Sequence, residues 1–374
     1  MTDKPQFVEE RGQKVKLNNL CSRGKSSLRQ KDVSNDGPYA VYGASGLVGT
    51  MASFQNAVPY VAVVKDGAGV GRASACEANT SVLGTMQALI PSEGIDRDYL
   101  LHLVRSLHLG DGFSGSTIPH IYFKDYGKLP VRLHSPAEQK RIVDIFASIE
   151  RQIKVSKQQL DQLDSLVKSR FVEMFGDPCD ANGNKAKVKV ASICELRIGP
   201  FGSALHKNDY ISGGHPLINP SHIIGSSIIP DADLTVSDDK YKSLEAYHLL
   251  PGDIVLGRRG EIGRCAVVQD KGFLCGTGSM VLRPRAGVRS EYLQRVVSFP
   301  SFRQALERNA VGVTMKNLNA KIVGAADMYL PSINQQDDFI SFTKQVDKSR
   351  FVAQQQIEKL QMLYDSLAQE YFGD

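Results

Sequence analysis

The sequence lacks the segments that would place the chain in or across a membrane. No apolar run approaches the roughly 18 residues needed to span a bilayer, and the N-terminus, MTDKPQFVEERGQK, has no apolar core of the kind found in a signal peptide. Low-complexity tracts are also missing. With 374 residues, of which 42% are hydrophobic and 23% charged, the composition is that of a soluble globular protein with room for two domains. We therefore expect a cytoplasmic protein with no membrane contact.

Cysteine is scarce, and its spacing does not suggest chemistry. The six cysteines form no Cys-x-x-Cys pair, and no histidine lies near them at zinc-site spacing. Because the chain is neither short nor evidently secreted, we expect reduced structural thiols at Cys21, Cys76, Cys179, Cys194, Cys265 and Cys275. The sequence therefore predicts neither disulfides nor a metal site.

The signatures of common enzyme classes are missing too. There is no G-x-x-x-x-G-K-[ST], no G-x-S-x-G and no H-E-x-x-H. The segment VVKDGAGVGRAS follows an apolar run and invites a dinucleotide-binding interpretation, but the third glycine position holds Arg72 or Ser74. Its counterpart in the second half, RRGEIGR, keeps only one pair of glycines. A pyrophosphate site is therefore not expected, and what both segments share is a tight turn that carries cations.

What the sequence does contain is an internal repeat. A shift of 197 residues aligns 115–177 with 312–374 without a gap, and both copies end on Phe-Gly-Asp. Earlier in the chain the shift falls to 193, which aligns DYL at 98–100 with EYL at 291–293, and then to 192, which aligns Gly71-Arg72 with Gly263-Arg264. Before that the halves no longer align. A repeat has to be weighed before any single motif. This one indicates a tandem duplication with similar ends and diverged beginnings.

Each copy ends in a predicted long helix with the spacing of a coiled coil. Mainly apolar positions recur at steps of four and three over about five heptads, the 3.5-residue period of a helix-helix seam. Capping boxes beginning at Ser135 and Ser332 would start the helices, and Gly176 and Gly373 would end them in the left-handed conformation. The predicted seam comprises Ile142, Phe146, Ile149, Ile153, Leu160, Leu163 and Val167 of the first helix and Val346, Ile357, Leu360 and Tyr364 of the second.

The two helices are expected to pair with each other. A helix of some 40 residues is a rod of about 60 Å, too long for one small domain to cover, although each helix could instead pack on its own domain. An antiparallel pair would separate two globular units. The predicted fold is therefore α+β, an internal tandem repeat with a pseudo-two-fold axis. Its parts are a first domain (1–134), a first helix (135–176), a second domain (177–331, starting with a linker at 177–187) and a second helix (332–374).

Polar and basic residues on glycine-containing loops are the candidates for a binding surface. The net charge of +5 is compatible with nucleic acid but does not decide for it. Hydroxyl, amide and guanidinium groups on such loops suit phosphate contact and base-edge readout, although each loop could also be plain solvated surface. The candidates are Lys65, Arg72, Ser116, Thr117, His120 and Lys124 in the first half, and Arg197, Ser203, His206, Lys207, Arg258, Arg259, Arg264, Thr314, Lys316 and Asn317 in the second.

The chain resembles the specificity subunit of a type I restriction-modification enzyme. The resemblance rests on LPVRLHSPAEQKRIVDIFASIERQI with its degenerate C-terminal copy, on YAVYGASGLVG and KDGAGVG in the first half, and on GPFGSAL, LLPGDIVLGRRGEIG and GVTMKNLN in the second. It covers nearly the whole chain. The second copy departs from the pattern in reading Gln335-Gln336 where the first has Glu138-Gln139, which leaves the helix and its cap intact.

The resemblance implies two target-recognition domains held apart by two helices, each domain reading one half of a bipartite, asymmetric site on double-stranded DNA. It also implies two methyltransferase (M) subunits docked on the helices and domains, and restriction (R) subunits that join the complex. The chain would direct adenine methylation or cleavage without catalysing either, and S-adenosylmethionine would belong to the methyltransferase subunit. The helices would be alike because they bind two copies of one partner, and the domains different because they read different sequences.

Two other functions are compatible with the residues. The first is a DNA-modifying enzyme, a nuclease or methyltransferase with a fused coiled-coil stalk, although INPS at 218–221 is the nearest approach to a methyltransferase motif. The second is a structural scaffold with no role on DNA. Methyl transfer by the pure chain would favour the first. Unchanged DNA affinity after loss of Arg258 and Arg259 would favour the second.

Overall fold

Two long helices organise the chain, and each contributes residues to two structural units. The computed structural model describes residues 12–115, 118–180, 186–201, 204–312 and 316–373. Contacts divide the chain into a first unit, Met1–Leu160 with Val352–Asp374, and a second unit, Asp161–Phe351. Among the helices of the described ranges, none is long and apolar enough to cross a membrane.

The first unit combines short strands with a few helices. Its strands are β1 (Gln13–Lys16), β2 (Cys21–Arg23), β3 (Tyr39–Gly43), β4 (Gly46–Met51), β5 (Tyr60–Val64), β6 (Ala73–Cys76), β7 (Ser81–Val82), β8 (Met86–Pro91) and β9 (Pro130–Leu133). Its helices are α1 (Leu17–Leu20), α2 (Arg97–Ser106), α3 (Phe123–Tyr126), the N-terminal part of α4 (Pro136–Phe175) and the C-terminal part of α10 (Ile333–Phe372). A 3₁₀ turn covers Gln30–Asp32.

The central strand β5 shows why this unit holds together. It lies between β8 and β6 in an antiparallel sheet of order β2-β8-β5-β6. Successive side chains of a strand point to opposite faces, and here both faces are covered. Val61 and Val63 pack with α2 and the start of α4, and Tyr60, Ala62 and Val64 pack into a second apolar cluster. A smaller sheet, β4-β3-β7, adjoins, and β1 pairs with β9.

The second unit is built from a similar set of elements. Its strands are β10 (Lys187–Lys189), β11 (Cys194–Ile198), β12 (Tyr210–Ile211), β13 (His215–Ile218), β14 (Ile223–Ile224), β15 (Ser227–Ile228), β16 (Thr235–Val236), β17 (Ile254–Gly257), β18 (Cys265–Val267), β19 (Leu274–Cys275), β20 (Ser279–Pro284) and β21 (Asp327–Tyr329). Its helices are the C-terminal part of α4, α5 (Val190–Ile193), α6 (Asp238–Ser243), α7 (Ser290–Ser298), α8 (Pro300–Asn309), α9 (Ala320–Ala325) and the N-terminal part of α10.

The two units share one core topology, including the parts where their sequences do not align, and the second unit adds β12 and the hairpin β14–β15. The sheet β11-β20-β17-β18 repeats the order β2-β8-β5-β6, the pair β10–β21 repeats β1–β9, and the parallel pair β13–β19 repeats β3–β7. Matching tyrosines tie α2 and α7 to the strands: the hydroxyl of Tyr99 donates to the carbonyl of Arg132, and that of Tyr292 to the carbonyl of Tyr329, both at 2.7 Å. The beginnings of the two halves have therefore diverged in sequence while keeping their fold.

The ends of the long helices agree with the predicted bounds within one or two residues, but the caps differ. At α10 the box is reciprocal, because Ser332 Oγ accepts from the Gln335 N–H (3.4 Å) and Gln335 Oε1 accepts from the Ser332 N–H (3.2 Å). At α4 the hydroxyl of Ser135 accepts from the Glu138 N–H (3.3 Å), while the carboxylate of Glu138 lies 3.5 Å from Arg141.

The predicted left-handed C-cap forms at the end of only one helix. Gly176 has φ +80°, as predicted. The prediction for Gly373 is wrong, because its φ lies outside the left-handed region, and its N–H continues the helical pattern by donating to the carbonyl of Gln369 (2.9 Å).

The helices run antiparallel. In the first unit, Phe146 near the start of α4 packs on Tyr364 and Phe372 near the end of α10, with ring centroids 4.7 and 6.0 Å away. In the second unit, Phe171 near the end of α4 packs on Phe339 near the start of α10, at 5.5 Å. The structure buries Ile142, Phe146, Ile149, Val167, Val346 and Leu360 of the predicted seam and half-buries Ile153, Leu160, Leu163, Ile357 and Tyr364.

The helices also pack on the domains, so the two packing modes considered from the sequence coexist. Phe146 stacks on His102 of α2 with ring centroids 4.6 Å apart. Small residues occupy the middle of the seam, where Ser156 is 2% and Ala353 is 6% exposed. A small-residue layer allows helix backbones to approach closely.

The segment between α4 and β10 is partly fixed to the second unit. Asp177 accepts hydrogen bonds from the Cys179 N–H (2.8 Å) and from the hydroxyl of Ser301 (2.6 Å), and Lys187 already belongs to β10. Part of the predicted linker, residues 181–185, lies outside the described residues.

Candidate nucleic-acid interface

In the first unit, the turn after β5 lies beside the loop that precedes α3. The Ile121 N–H donates to the carbonyl of Lys65 (2.9 Å), which joins the two segments through their backbones. Their side chains meet as well, because Nδ1 of His120 lies 2.7 Å from Oδ1 of Asp66. The structure therefore brings together Lys65 and His120, which the sequence selected separately, and adds Asp66, which it did not select.

Exposed aromatic rings accompany these loops. Tyr122 is 48% and Phe113 is 49% exposed. The ring of His120 stacks on Tyr122 with centroids 6.3 Å apart, and Nζ of Lys124 lies 5.3 Å from the centroid of the same ring. Aromatic faces next to cations can stack on bases and contact phosphates. Neither ring was among the candidates, because the sequence search looked for cations and hydroxyls.

In the second unit, the turn after β17 and the loop before α9 are connected in the same way. We call each such pair of backbone-bonded loops a joint. The Leu318 N–H donates to the carbonyl of Arg258 (2.9 Å), and Arg259 and Asn317 form a backbone bridge where the first unit has Asp66 and His120. Nε of Arg258 donates to Oδ1 of Asn317 at 3.1 Å. Burial, and next the charge of Arg259, lower the pKa of Arg258. The predicted residues Arg258, Arg259 and Asn317 therefore form one cluster, with the exposed Lys316 next to Asn317 in the chain.

The two joints have the same backbone but different charge. In the first unit the joint carries a carboxylate paired with an imidazole, Asp66 and His120. In the second unit it carries two arginines and the amide of Asn317. Arg259 and Lys316 are exposed. A common scaffold with different tips suits the recognition of two different ligand sequences.

Three predicted cations are engaged in local contacts. Arg72 donates to the carbonyls of Gly69 and Ala44, both at 3.3 Å. Arg264 is ion-paired with Glu261. Arg197 is bonded to Glu195 at 2.8 Å and also donates to the carbonyl of Ala246 (3.2 Å). Their charge is partly compensated within the unit, which makes them weaker candidates for phosphate contact.

The remaining candidates lie on other loops or outside the described residues. His206 and Lys207 expose their side chains at a 3₁₀ turn, Lys207–Asp209. Ser116, Thr117, Ser203 and Thr314 fall outside the described residues.

One further aromatic residue is prominent in the second unit. Phe201 is 68% exposed. It follows Gly199, whose N–H donates to the carbonyl of Ser279 (3.1 Å) and where a Cβ atom would lie 2.0 Å from the carbonyl oxygen of Gly276. The glycine thus allows the segment to run close against its neighbour while Phe201 faces solvent. The GPFGSAL motif contained this signal, but its aromatic residue was not selected.

The cysteines do not provide an alternative chemistry. All six are free, and burial raises the pKa of Cys21, Cys194 and Cys265 to about 12. Thiols with such pKa values stay protonated at neutral pH and are poor nucleophiles. Within the ranges that the structure describes, no group of three His, Cys, Asp or Glu residues could hold a metal ion.

Comparison with known proteins agrees with this architecture. Among solved structures, the type I restriction-modification system S subunit from M. genitalium is 14% identical, with a TM-score of 0.57 over 100% of both chains. A structure of the type I R-M system, described in terms of complex assembly and conformational transition, is also 14% identical, with a TM-score of 0.58 over 98% of this chain and 99% of that one. None of the curated proteins matches this chain.

The family model decides the assignment. The model of the type I restriction modification DNA specificity domain matches twice, at residues 9–165 and 182–362. The two matches cover most of the chain and correspond to the two halves of the repeat. The chain therefore belongs to the type I restriction-modification DNA specificity family and is a DNA-recognition subunit.

Proposed function

We propose that each unit reads one half of a bipartite, asymmetric DNA sequence through its joint of two loops. The observation that carries this proposal is that one backbone joint holds Asp66 and His120 in the first unit but Arg259 and Asn317 in the second. Sequence is read by side chains at base edges, while phosphate contacts fix register. A repeated scaffold with different tips is what two different half-sites require.

The residues of the two joints suit distinct tasks. The exposed cations Lys124, Arg259 and Lys316 would contact phosphates. Oδ1 of Asn317 is occupied by Arg258, so its amide nitrogen is left to donate to an acceptor on a base edge. In the first unit, the contact with Asp66 fixes the orientation of the His120 imidazole, whose other ring nitrogen would then face a base edge.

We further propose that two copies of one methyltransferase subunit dock on the long helices. Exposed apolar side chains occur at matched positions of the repeat: Val155 and Val352 are 47% and 62% exposed, and Leu166 and Leu363 are 48% and 46% exposed. Exposed apolar residues are individually common, but their retention in both helices favours a contact used twice.

The chain is proposed to carry no catalytic residue. Adenine methylation and cleavage would be performed by the methyltransferase and restriction subunits, and S-adenosylmethionine would bind to the methyltransferase. The complex would act in the cytoplasm.

The test of DNA reading is the methylated sequence itself. The full complex with its methyltransferase is expressed in a host without other adenine methylation, and the modified adenines are mapped. R259A/N317A should relax or abolish recognition at one half-site only, and D66N/H120A at the other only. R308A, which removes an exposed cation of α8 outside the joint, should leave both half-sites intact. If either double variant left the whole motif unchanged, or altered both halves alike, the assignment of one joint to one half-site would be wrong.

The test of partner docking is stoichiometry. The assembly with purified methyltransferase is measured by mass photometry for the wild type, V155D, V352D and the double variant. Each single variant should lose one of two methyltransferase copies, and the double variant both. V155T and V352T, which keep the shape, should retain both. Two bound copies in the double variant would contradict the proposed contact.

A further inference from the structure

The second unit contains a cavity that DNA recognition does not use. It has a volume of about 200 Å³ and is lined by residues of α4, α7, α8 and α10. It lies on the helices, away from the loops of the joint. Aromatic rings and the cations Lys168, Arg295 and Arg350 line it, together with one carboxylate, that of Asp164.

The aromatic walls come from three buried phenylalanines. Phe171 lies with its ring centroid 5.2 Å from that of Phe299 and 5.5 Å from that of Phe339. The three side chains belong to the core of the unit, at 2%, 8% and 1% exposure. An apolar cavity of about 150 Å³ accepts benzene. This cavity therefore has room for one aromatic ring and a few further atoms.

The cations are incompletely compensated. Arg350 is ion-paired with Asp164, but its Nε atom is buried without a hydrogen-bond partner in the described part of the chain and lies 3.8 Å from Asp347. Arg295 is half-buried, and none of the described residues forms a hydrogen bond or close ion pair with its guanidinium. Burial lowers its pKa. The carboxylates of Asp347 and Asp164 act in the opposite direction on this pKa, but neither is hydrogen-bonded to Arg295. A guanidinium withdrawn from water without hydrogen-bond partners is costly, and an anion bound to it in the cavity would reduce that cost.

The first unit shows the same place filled. There the imidazole Nδ1 of His102 lies 2.8 Å from the hydroxyl of Tyr364, and Phe146 packs on both rings. The repeat exchanges His102 for Arg295, Tyr364 for Val167, and Phe146 for Thr343. Compared with the first unit, the second has small side chains in place of two large aromatic ones, and a guanidinium in place of the imidazole. Space and charge arise together in the second unit.

We propose that this cavity binds a small organic carboxylate that carries one aromatic ring. The ring lies among Phe171, Phe299 and Phe339, and the carboxylate accepts hydrogen bonds from Arg295. Arginine is suited to this task because its planar guanidinium matches a carboxylate in a bidentate pair. The site is separate from the joint loops, so it does not depend on the proposed reading of half-sites.

The test uses the full chain and three probes: benzoate, its neutral isostere benzamide, and acetate, which has the charge without the ring. Ligand-detected NMR titration should show that benzoate binds at least about tenfold more tightly than either of the others. R295M, which keeps the apolar stem, should weaken benzoate binding about tenfold or more and leave benzamide nearly unchanged. R308M makes the same exchange at an exposed position of α8 and should change neither.

A second variant tests the space rather than the charge. V167Y places a tyrosine where the first unit has Tyr364, and it should abolish benzoate binding while the far-ultraviolet circular dichroism stays that of the wild type. If V167Y does not fold, R295M and R308M still decide. Equal affinity for benzoate and benzamide, or unchanged benzoate affinity in R295M, would show that the cavity is only a packing defect and would overturn the proposal. Neither result would alter the methylated sequence, which tests DNA recognition separately.

Discussion

A buried glutamine at the start of each long helix holds the helix to its domain, and its removal gives the sharpest stability prediction. Gln336 is 0% exposed. Its amide donates to the carbonyls of Gly287 (3.1 Å) and Pro331 (2.9 Å) and accepts from the Arg289 N–H (2.8 Å). Gln139 does the same in the first unit with Gly94, His134 and Asp96, at 3.2, 3.0 and 2.9 Å.

The expected cost of Q336L follows from this inventory. Leucine has a similar volume to glutamine, so the substitution mainly removes the three hydrogen bonds and leaves the packing nearly unchanged. Three backbone groups would lose a partner at about 1–3 kcal/mol each. The carbonyl of Pro331 is buried, whereas Gly287 and Arg289 belong to exposed residues where water can replace part of the loss, so the total should be about 3–4 kcal/mol. Q139L should cost a similar amount. Q336E should also destabilise, because a carboxylate cannot donate to the two carbonyls.

The assay is urea unfolding followed by circular dichroism, with the wild type and each variant in the same buffer. Q354L, on an exposed position of α10, is the matched control and should change the free energy of unfolding by less than about 0.5 kcal/mol. If Q336L and Q139L both cost less than about 1 kcal/mol, the hydrogen bonds would not stabilise the helix starts, and the reasoning would fail. A large effect for one and none for the other would show that the two helix starts are not equivalent.

Three further predictions rest on single contacts. Burial lowers the pKa of His102 from 6.5 to about 4, so between these pH values the unfolded chain binds a proton that the folded chain does not. The free energy of unfolding should therefore be unaffected by His102 above pH 6.5 and should fall by about 3 kcal/mol as the pH is lowered to 4. H102Q should flatten that part of a stability-against-pH curve. R283M leaves the buried carboxylate of Asp253 without its 2.7 Å partner and should cost about 3 kcal/mol, more than D253N, by thermal unfolding. R259A and K316A should each reduce the slope of log affinity against log salt by about 1 in DNA-binding titrations, and a slope that stays at the wild-type value would remove both from the phosphate-contacting set.

The long helices could be predicted from sequence because their signals are local. The seam period and the capping serines fix them within a few residues, and α4 and α10 begin at Pro136 and Ile333. The strand before each cationic turn, β5 and β17, and the matching helices α2 and α7 were also predictable from short apolar patterns. Gly373 was mispredicted because a glycine permits the left-handed conformation without requiring it.

The composition of the candidate site was only partly readable. Each loop carries residue types that suit DNA, but the neighbourhood of Lys65 and His120, or of Arg258 and Asn317, depends on tertiary backbone bonds between segments far apart in the chain. Counting cations also cannot show that Arg72 and Arg197 are occupied by their own surroundings. The exposed rings of Tyr122 and Phe201 were missed because an aromatic residue in a sequence reads first as core.

The loss of sequence similarity at the beginnings of the two halves has a physical reason. Apolar cores tolerate extensive exchange as long as pattern and volume are kept, so YVAVV in β5 and IVLG in β17 occupy the same place in the same sheet order. Exposed loop tips tolerate even more, because a surface substitution usually changes stability by no more than about 0.5 kcal/mol. The glutamines at the helix starts have no such freedom, since a side chain must both donate twice and accept once in a buried place. The glutamines are therefore kept in both copies because a buried place demands their hydrogen bonds, whereas the diverged loops are those that we propose to read two different DNA sequences.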